Sequence, residues 1–164
     1  MKKVAAIMAM AVVLFTSACK KDENGTEVAA AATGSWTLGT NTYKVAFSNK
    51  GLTGGGNPVT LIIFADDANI LSSNVHTLNL SFKTSPTTSG TYQLVGSVGG
   101  NLTSNQFELN AGSSAGVYVY LGAPVNVDVT VSGGKVKVVI PEITVKSSNS
   151  AQSDLKLSAI LQEK

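Results

Sequence analysis

Few residues of this 164-residue chain have types and spacing that could do chemistry. His76 is the single histidine, so no multi-histidine metal site can be assembled. Its neighbours Val75 and Thr77 suit the start of a strand. Gly112-Ser113-Ser114-Ala115-Gly116 fits the letters G-x-S-x-G, which would make Ser114 a nucleophile on a strand-to-helix elbow. Here a strand is predicted to follow at once, from Val117, so the segment is read as a small-residue turn. A Ser-His-Asp arrangement assembled in space is the catalytic alternative. Asp66-Asp67-Ala68-Asn69 gathers oxygen ligands without the spacing of a calcium loop and is read as a polar turn. Trp36, Tyr118 and Tyr120 are the candidate ligand-binding residues, because aromatic faces on a sheet stack on sugar rings. The other reading is that Trp36 closes the core while the tyrosines sit half-buried with wet hydroxyls. The expectation is a protein without a catalytic site, a metal site or a cofactor.

Composition narrows the partners. Hydrophobic residues make up 43% of the chain and charged residues 13%, which is enough apolar material for a core and too little charge for a disordered tail protein. All twelve basic residues are lysine. Arginine's planar fork is the usual tool for phosphate and base-edge recognition, so its absence counts against nucleic acid. From residue 19 onward ten lysines face ten acidic residues, which leaves no net charge to steer the protein toward a polyanion. Gly51, Gly54, Gly55 and Gly56 form a flexible loop over 49–57 that lacks the Gly-Lys-Ser/Thr ending of a phosphate loop.

The elements that must position these residues are strands. Val125, Val127, Val129 and Val131 alternate with Asn126, Asp128 and Thr130, which puts the valines on one face. Gly133-Gly134 suits a two-residue hairpin turn with positive φ at both positions. Folding there pairs Val131 with Val136, Val129 with Val138 and Val127 with Ile140. Pro141 lacks a ladder donor and marks an edge, a bulge or a break. Val59 to Ala65 is a nearly continuous apolar run, the mark of a strand covered on both faces. Further alternating strands are predicted over 35–38, 42–48, 77–83, 91–95, 106–110, 117–121 and 155–161, with one helical turn within 66–74. Short strands at this spacing predict one all-β domain over 34–164, an antiparallel β-sandwich of about 9–11 strands.

The front of the chain carries an address. Lys2-Lys3, the twelve apolar residues Val4 to Phe15 and the small residues Thr16-Ser17-Ala18 have the layout of an export signal over 1–18. The apolar run is too short for a bilayer core of ~30 Å. Cys19, the only cysteine, follows directly. Thr16-Ser17-Ala18-Cys19 resembles the lipobox of bacterial lipoproteins, with threonine where leucine is usual. The resemblance implies that Cys19 becomes a lipidated N-terminus and anchors the protein; plain secretory cleavage after Ala18 is the alternative. Lys20-Lys21-Asp22-Glu23-Asn24 resembles the short signals that place some Gram-negative lipoproteins on the outer face of the outer membrane. Lys20 to Thr33 is read as a tether, with a reach of at most ~50 Å extended and about 20 Å as a flexible coil.

Gly34-Ser35-Trp36 resembles the G-x-W signature of lipocalins, which implies a barrel alternative and a small apolar ligand; the companion lipocalin arginine is absent. Trp36, Gly39 and Tyr43, with Ser89-Gly90-Thr91-Tyr92, also resemble small all-β lipoproteins, which implies a fold and a location but no activity. The expected function is a non-enzymatic binding or interaction module, anchored in the cell envelope and exposed at the surface, with a glycan or an envelope protein as partner. A lipocalin-like carrier is the alternative. Replacing Cys19 with alanine should release the protein from membranes and abolish fatty-acid labelling; unchanged fractionation would overturn the anchoring.

Overall fold

Alternation of apolar and polar side chains builds strands, and this chain builds little else. The computed structural model describes residues 33–96, 101–113, 116–149 and 151–164. The segment expected to be an export signal, Cys19 and the expected tether up to residue 32 lie outside the described residues. The strands are β1 (Thr33–Leu38), β2 (Asn41–Lys44), β3 (Phe47–Leu52), β4 (Thr60–Ala65), β5 (Thr77–Phe82), β6 (Gly90–Leu94), β7 (Gln106–Ser113), β8 (Gly116–Val119), β9 (Val125–Ser132), β10 (Lys135–Ser147) and β11 (Leu155–Gln162). No helix occurs among the described residues. The helical turn expected within 66–74 is instead a pair of turns, one closed by Ser72 N–H donating to the Asn69 carbonyl at 2.9 Å.

All of these strands belong to one hydrogen-bonded sheet. The valine hairpin is its spine. Gly133 and Gly134 have φ of 57° and 76°, the left-handed values that the tight turn requires. The ladder pairs Val131 with Val136 and Val129 with Val138, and it ends at Asp128–Val139, one pair short of Val127–Ile140. Pro141 sits where β10 gains a residue over β11, between the pairs Ile140–Ala159 and Ile143–Leu157. The bulge absorbs a residue that has no N–H to donate. β10 is thus long enough to carry β9 on its first half and β8 at Lys146 and Ser147. β8 also pairs with β7, β7 with β6, and β6 with β9, so five strands close a ring. Only the β6–β7 pair is parallel among these.

Two arms leave the ring. β11, β1 and β2 extend from β10, while β5, β4 and β3 extend from β7. The arms meet on one stretch of chain, because β2 and β3 are separated only by Val45 and Ala46. Val45 N–H donates to the Gly34 carbonyl at 3.0 Å, on the β1 side. Ala46 N–H donates to the Ala65 carbonyl at 2.8 Å, on the β4 side. Residues 41–52 thus form a bent strand that changes partners at its midpoint.

One face of the sheet is buried in a single cluster. It runs from Trp36 through Phe64, Phe82, Leu94 and Phe107 to Val129, Val138 and Leu157. Phe82 and Phe107 stack with centroids 4.7 Å apart. In β4 the inward residues Thr60, Ile62 and Phe64 are buried, whereas Leu61 and Ile63 on the other face are half-buried. The apolar run 59–65 is therefore sealed on one face and not on both. β3 reaches Leu52, into the segment expected to be a loop, because Lys50, Gly51 and Leu52 pair with Ile62, Leu61 and Thr60.

Gly34 makes the closest approach in the fold. Its φ is +124°, and a Cβ there would lie 2.1 Å from the Ile160 carbonyl oxygen. A Gly34→Ala change should lower stability by about 3 kcal/mol, combining backbone strain with overpacking against backbone. Gly51, with open space around it, should tolerate alanine within about 0.5 kcal/mol. Urea midpoints of the two variants test the difference; equal midpoints would show that the close approach is not needed.

Candidate functional site

Four turns converge at the end of the sheet opposite Thr33: Gly39-Thr40, residues 66–76, the Ser113–Gly116 turn and residues 148–154. Between them lies a cleft of about 250 Å³. Its apolar walls are Leu38, Tyr43, Tyr118 and Leu155, and each also packs against the core. Its polar lining includes Asn41, His76, Ser113 and Gln152.

The cleft floor is a stack of rings. Buried Trp36 lies 5.3 Å from Tyr43, nearly parallel at 26°. Tyr43 lies 4.3 Å from the His76 ring at 30°. Each ring is held by a strand: Trp36 and Tyr43 are cross-strand partners on β1 and β2, and His76 precedes β5. Asp66 fixes the imidazole from behind. Its carboxylate accepts the His76 backbone N–H at 2.8 Å and lies 2.9 Å from Nδ1. A carboxylate only accepts, so Nδ1 carries the proton and Nε2 is the ring nitrogen left for a ligand. Gln152 is fixed similarly, its side-chain carbonyl accepting from the Ser147 hydroxyl at 2.9 Å. Gly116 leaves room for it, since a Cβ there would meet Gln152 Oε1 at 3.0 Å.

The three aromatic candidates part company. Trp36 is 1% exposed and Tyr120 5% exposed, so neither has a face to lend to a ligand. Tyr120 instead donates its hydroxyl to the Ala123 carbonyl, and burial pushes its phenol above the ordinary tyrosine range. Tyr118 is half-buried and lines the cleft. The pleat places Tyr120 toward the core, while Val117 and Leu121 on the other face are exposed.

Gly112, Ser113 and Gly116 line the same cleft as His76, so the fold brings the described members of the G-x-S-x-G segment to one site with the imidazole. Ser114 and Ala115 lie outside the described residues. The segment joins two antiparallel strands, with Ser113 paired to Gly116, and not a strand to a helix. Of the acidic run, Asp66 serves His76, while Asp67 accepts the Asn69 backbone N–H at 2.9 Å and closes the turn. Among the described residues no group of three or more His, Cys, Asp or Glu gathers around a point. Asn41 and Gln152 were not singled out by sequence, because β2 and the turn before β11 lie more than a hundred residues apart, and Tyr43 stood out only as part of a family resemblance. The chain matches no protein-family model, no curated protein and no solved structure.

Asp66→Ala leaves two donors of His76 without their acceptor, a loss of about 1 to 3 kcal/mol. Thermal unfolding should register that loss, and the exchange-protected Nδ1 proton of His76 should disappear from the NMR spectrum. Retention of both would show that the carboxylate does not hold the ring.

Proposed function

We propose that the protein is a non-enzymatic binding module, held in the cell envelope by lipid on Cys19, whose cleft takes one ring of a neutral glycan. The observation that carries this is the chemistry of the lining: ring faces and leucines for the C–H face of a sugar, beside two amides and an imidazole for its hydroxyls. Its lining contains no carboxylate or ammonium group. Binding sites generally pair apolar walls with a few fixed polar groups in this way. At about 250 Å³ the cleft suits a single ring, since drug-sized ligands occupy roughly 300–1,000 Å³.

The position of the cleft supports the envelope setting. β1 starts at Thr33 and ends at Leu38, and the cleft lies at the Leu38 end. Six residues of strand separate the two ends by about 20 Å. A domain tethered through its front would hold the cleft away from the membrane, and the Lys20 to Glu23 run favours the outer face of the outer membrane. The five-strand ring and the partner change at Val45–Ala46 favour a closed barrel over an open sandwich. The apolar cluster that fills it speaks for a binding module over a lipocalin-like carrier, which needs a hollow interior.

Titration calorimetry against neutral saccharides identified on a glycan array tests the proposal. Tyr118→Ala should weaken binding about tenfold, the scale of one aromatic contact, in protein that stays folded at the assay temperature. Gln152→Ala should weaken it by a similar factor. A blank array with folded protein, or a Tyr118→Ala variant that binds like the parent, would overturn the glycan assignment.

A further inference from the structure

The end of the sheet opposite the cleft has a different chemistry. Lys50, Lys83, Lys135, Lys137 and Lys164 all lie there, around the ends of β3, β5 and β11 and the β9–β10 turn. Side-chain contacts gather these elements: Lys50 Nζ bonds Glu163 Oε2 at 3.0 Å and the Gly134 carbonyl at 3.2 Å, Lys164 N–H bonds Ser48 Oγ at 2.8 Å, and Lys135 Nζ bonds the Lys164 carbonyl. Two carboxylates belong to this end. Glu163 is buried and bonded to Lys50 and the Val136 N–H, and Glu108 is half-buried on β7. The cleft end carries Asp66, Asp67, Glu142 and Asp154 beside only Lys146 and Lys156. A chain with no net charge past residue 19 therefore has lysine in excess at the Thr33 end and carboxylate in excess at the cleft end.

The basic end also holds an open groove of about 560 Å³, with Lys50 and Lys83 in its lining and Leu52 and Pro58 as apolar walls. Leu52 is 79% exposed. It caps the end of β3 with an aliphatic side chain in water. β1 begins at this same end, where Thr33 pairs with Gln162, so the 32 residues that precede it leave from here.

We propose that this end is a docking surface for an anionic lipid membrane. Lys83, Lys135, Lys137 and Lys164 would meet lipid phosphates, Leu52 would enter the interface, and the groove would seat a headgroup. The proposal rests on the anchoring proposed above, which brings a membrane within reach, and adds an orientation to it. Basic side chains at an anionic surface are each worth about fivefold in affinity, and an exposed aliphatic side chain beside them gains by burial in the interface. Docked in this way, the domain would stand with its cleft and the exposed Ile70–Leu71 turn facing outward.

Vesicle co-sedimentation tests the docking without the anchor. The probe protein is the chain from Cys19 onward, with Cys19→Ser to block lipidation. The vesicles are phosphatidylcholine alone, or phosphatidylcholine with about one third phosphatidylglycerol. The expected result is binding to the anionic vesicles only, largely lost at about 0.5 M salt. Lys83→Glu with Lys137→Glu should weaken it at least about twentyfold, and Leu52→Asp should weaken it further, with unfolding midpoints unchanged. Lys137→Glu alone, at an exposed strand position, supplies a variant whose folding is not in question. Equal binding to both vesicle types would overturn the docking. So would lysine variants that bind like the parent, since that result assigns binding to Lys20 and Lys21. Displacement by inorganic phosphate too dilute to screen charge would assign the lysines to a free anion and also overturn it. Loss of the anchor is read separately, from fractionation of the Cys19→Ala protein, so either claim can fail alone.

Discussion

The change of partners at Val45 and Ala46 is the constraint on which the rest of the structure depends. Adjacent N–H groups of an extended chain point to opposite sides, and here one goes to Gly34 and its neighbour to Ala65. A strand that is bonded to β1 on one side before the bend and to β4 on the other after it joins the two arms of the sheet. Gly34, which accepts from Val45 at the bend, also lets β1 lie close on β11, because it has no side chain to strike the Ile160 carbonyl. Closure in turn buries Trp36, whose ring then supports Tyr43 and, through it, His76.

The bend leaves two half-edges uncovered, and the chain fills them with opposite chemistry. Along β2 the gap is bounded by Tyr43 and His76 and opens as the cleft. Along β3 it is closed by Glu163, a buried carboxylate that satisfies both Lys50 and the Val136 N–H. A buried acid with one cationic and one backbone partner is costly to disturb on either side. One half-edge is thus a site and the other a seam, and the difference between the ends of the molecule follows from it.

Much of the fold was legible because it is local. Period-two alternation, the Gly133-Gly134 turn and the irregularity at Pro141 each act over a few residues, and the hairpin formed with the expected register. The apolar run of β4 misled, since its second face is only half covered. Alternation also cannot tell which face is inside when both are apolar. In Val117 to Leu121 the tyrosine at 120 went in and the aliphatic residues at 117 and 121 stayed out. The cleft was the least legible part. Its residues come from strand ends and turns far apart in the chain, brought together by the closure of the sheet, and only Tyr43, His76, Tyr118 and the Gly112–Gly116 segment had drawn attention.

A sheet whose path begins and ends on the same strand offers little to a second molecule of its own kind. Most of the ladder that lets β-proteins zip edge to edge into fibres is, among the described residues, spent on the protein itself, which leaves only the half-edges along β2 and β3. A neighbouring copy therefore meets two short stretches broken by a bend, and not one long flat template.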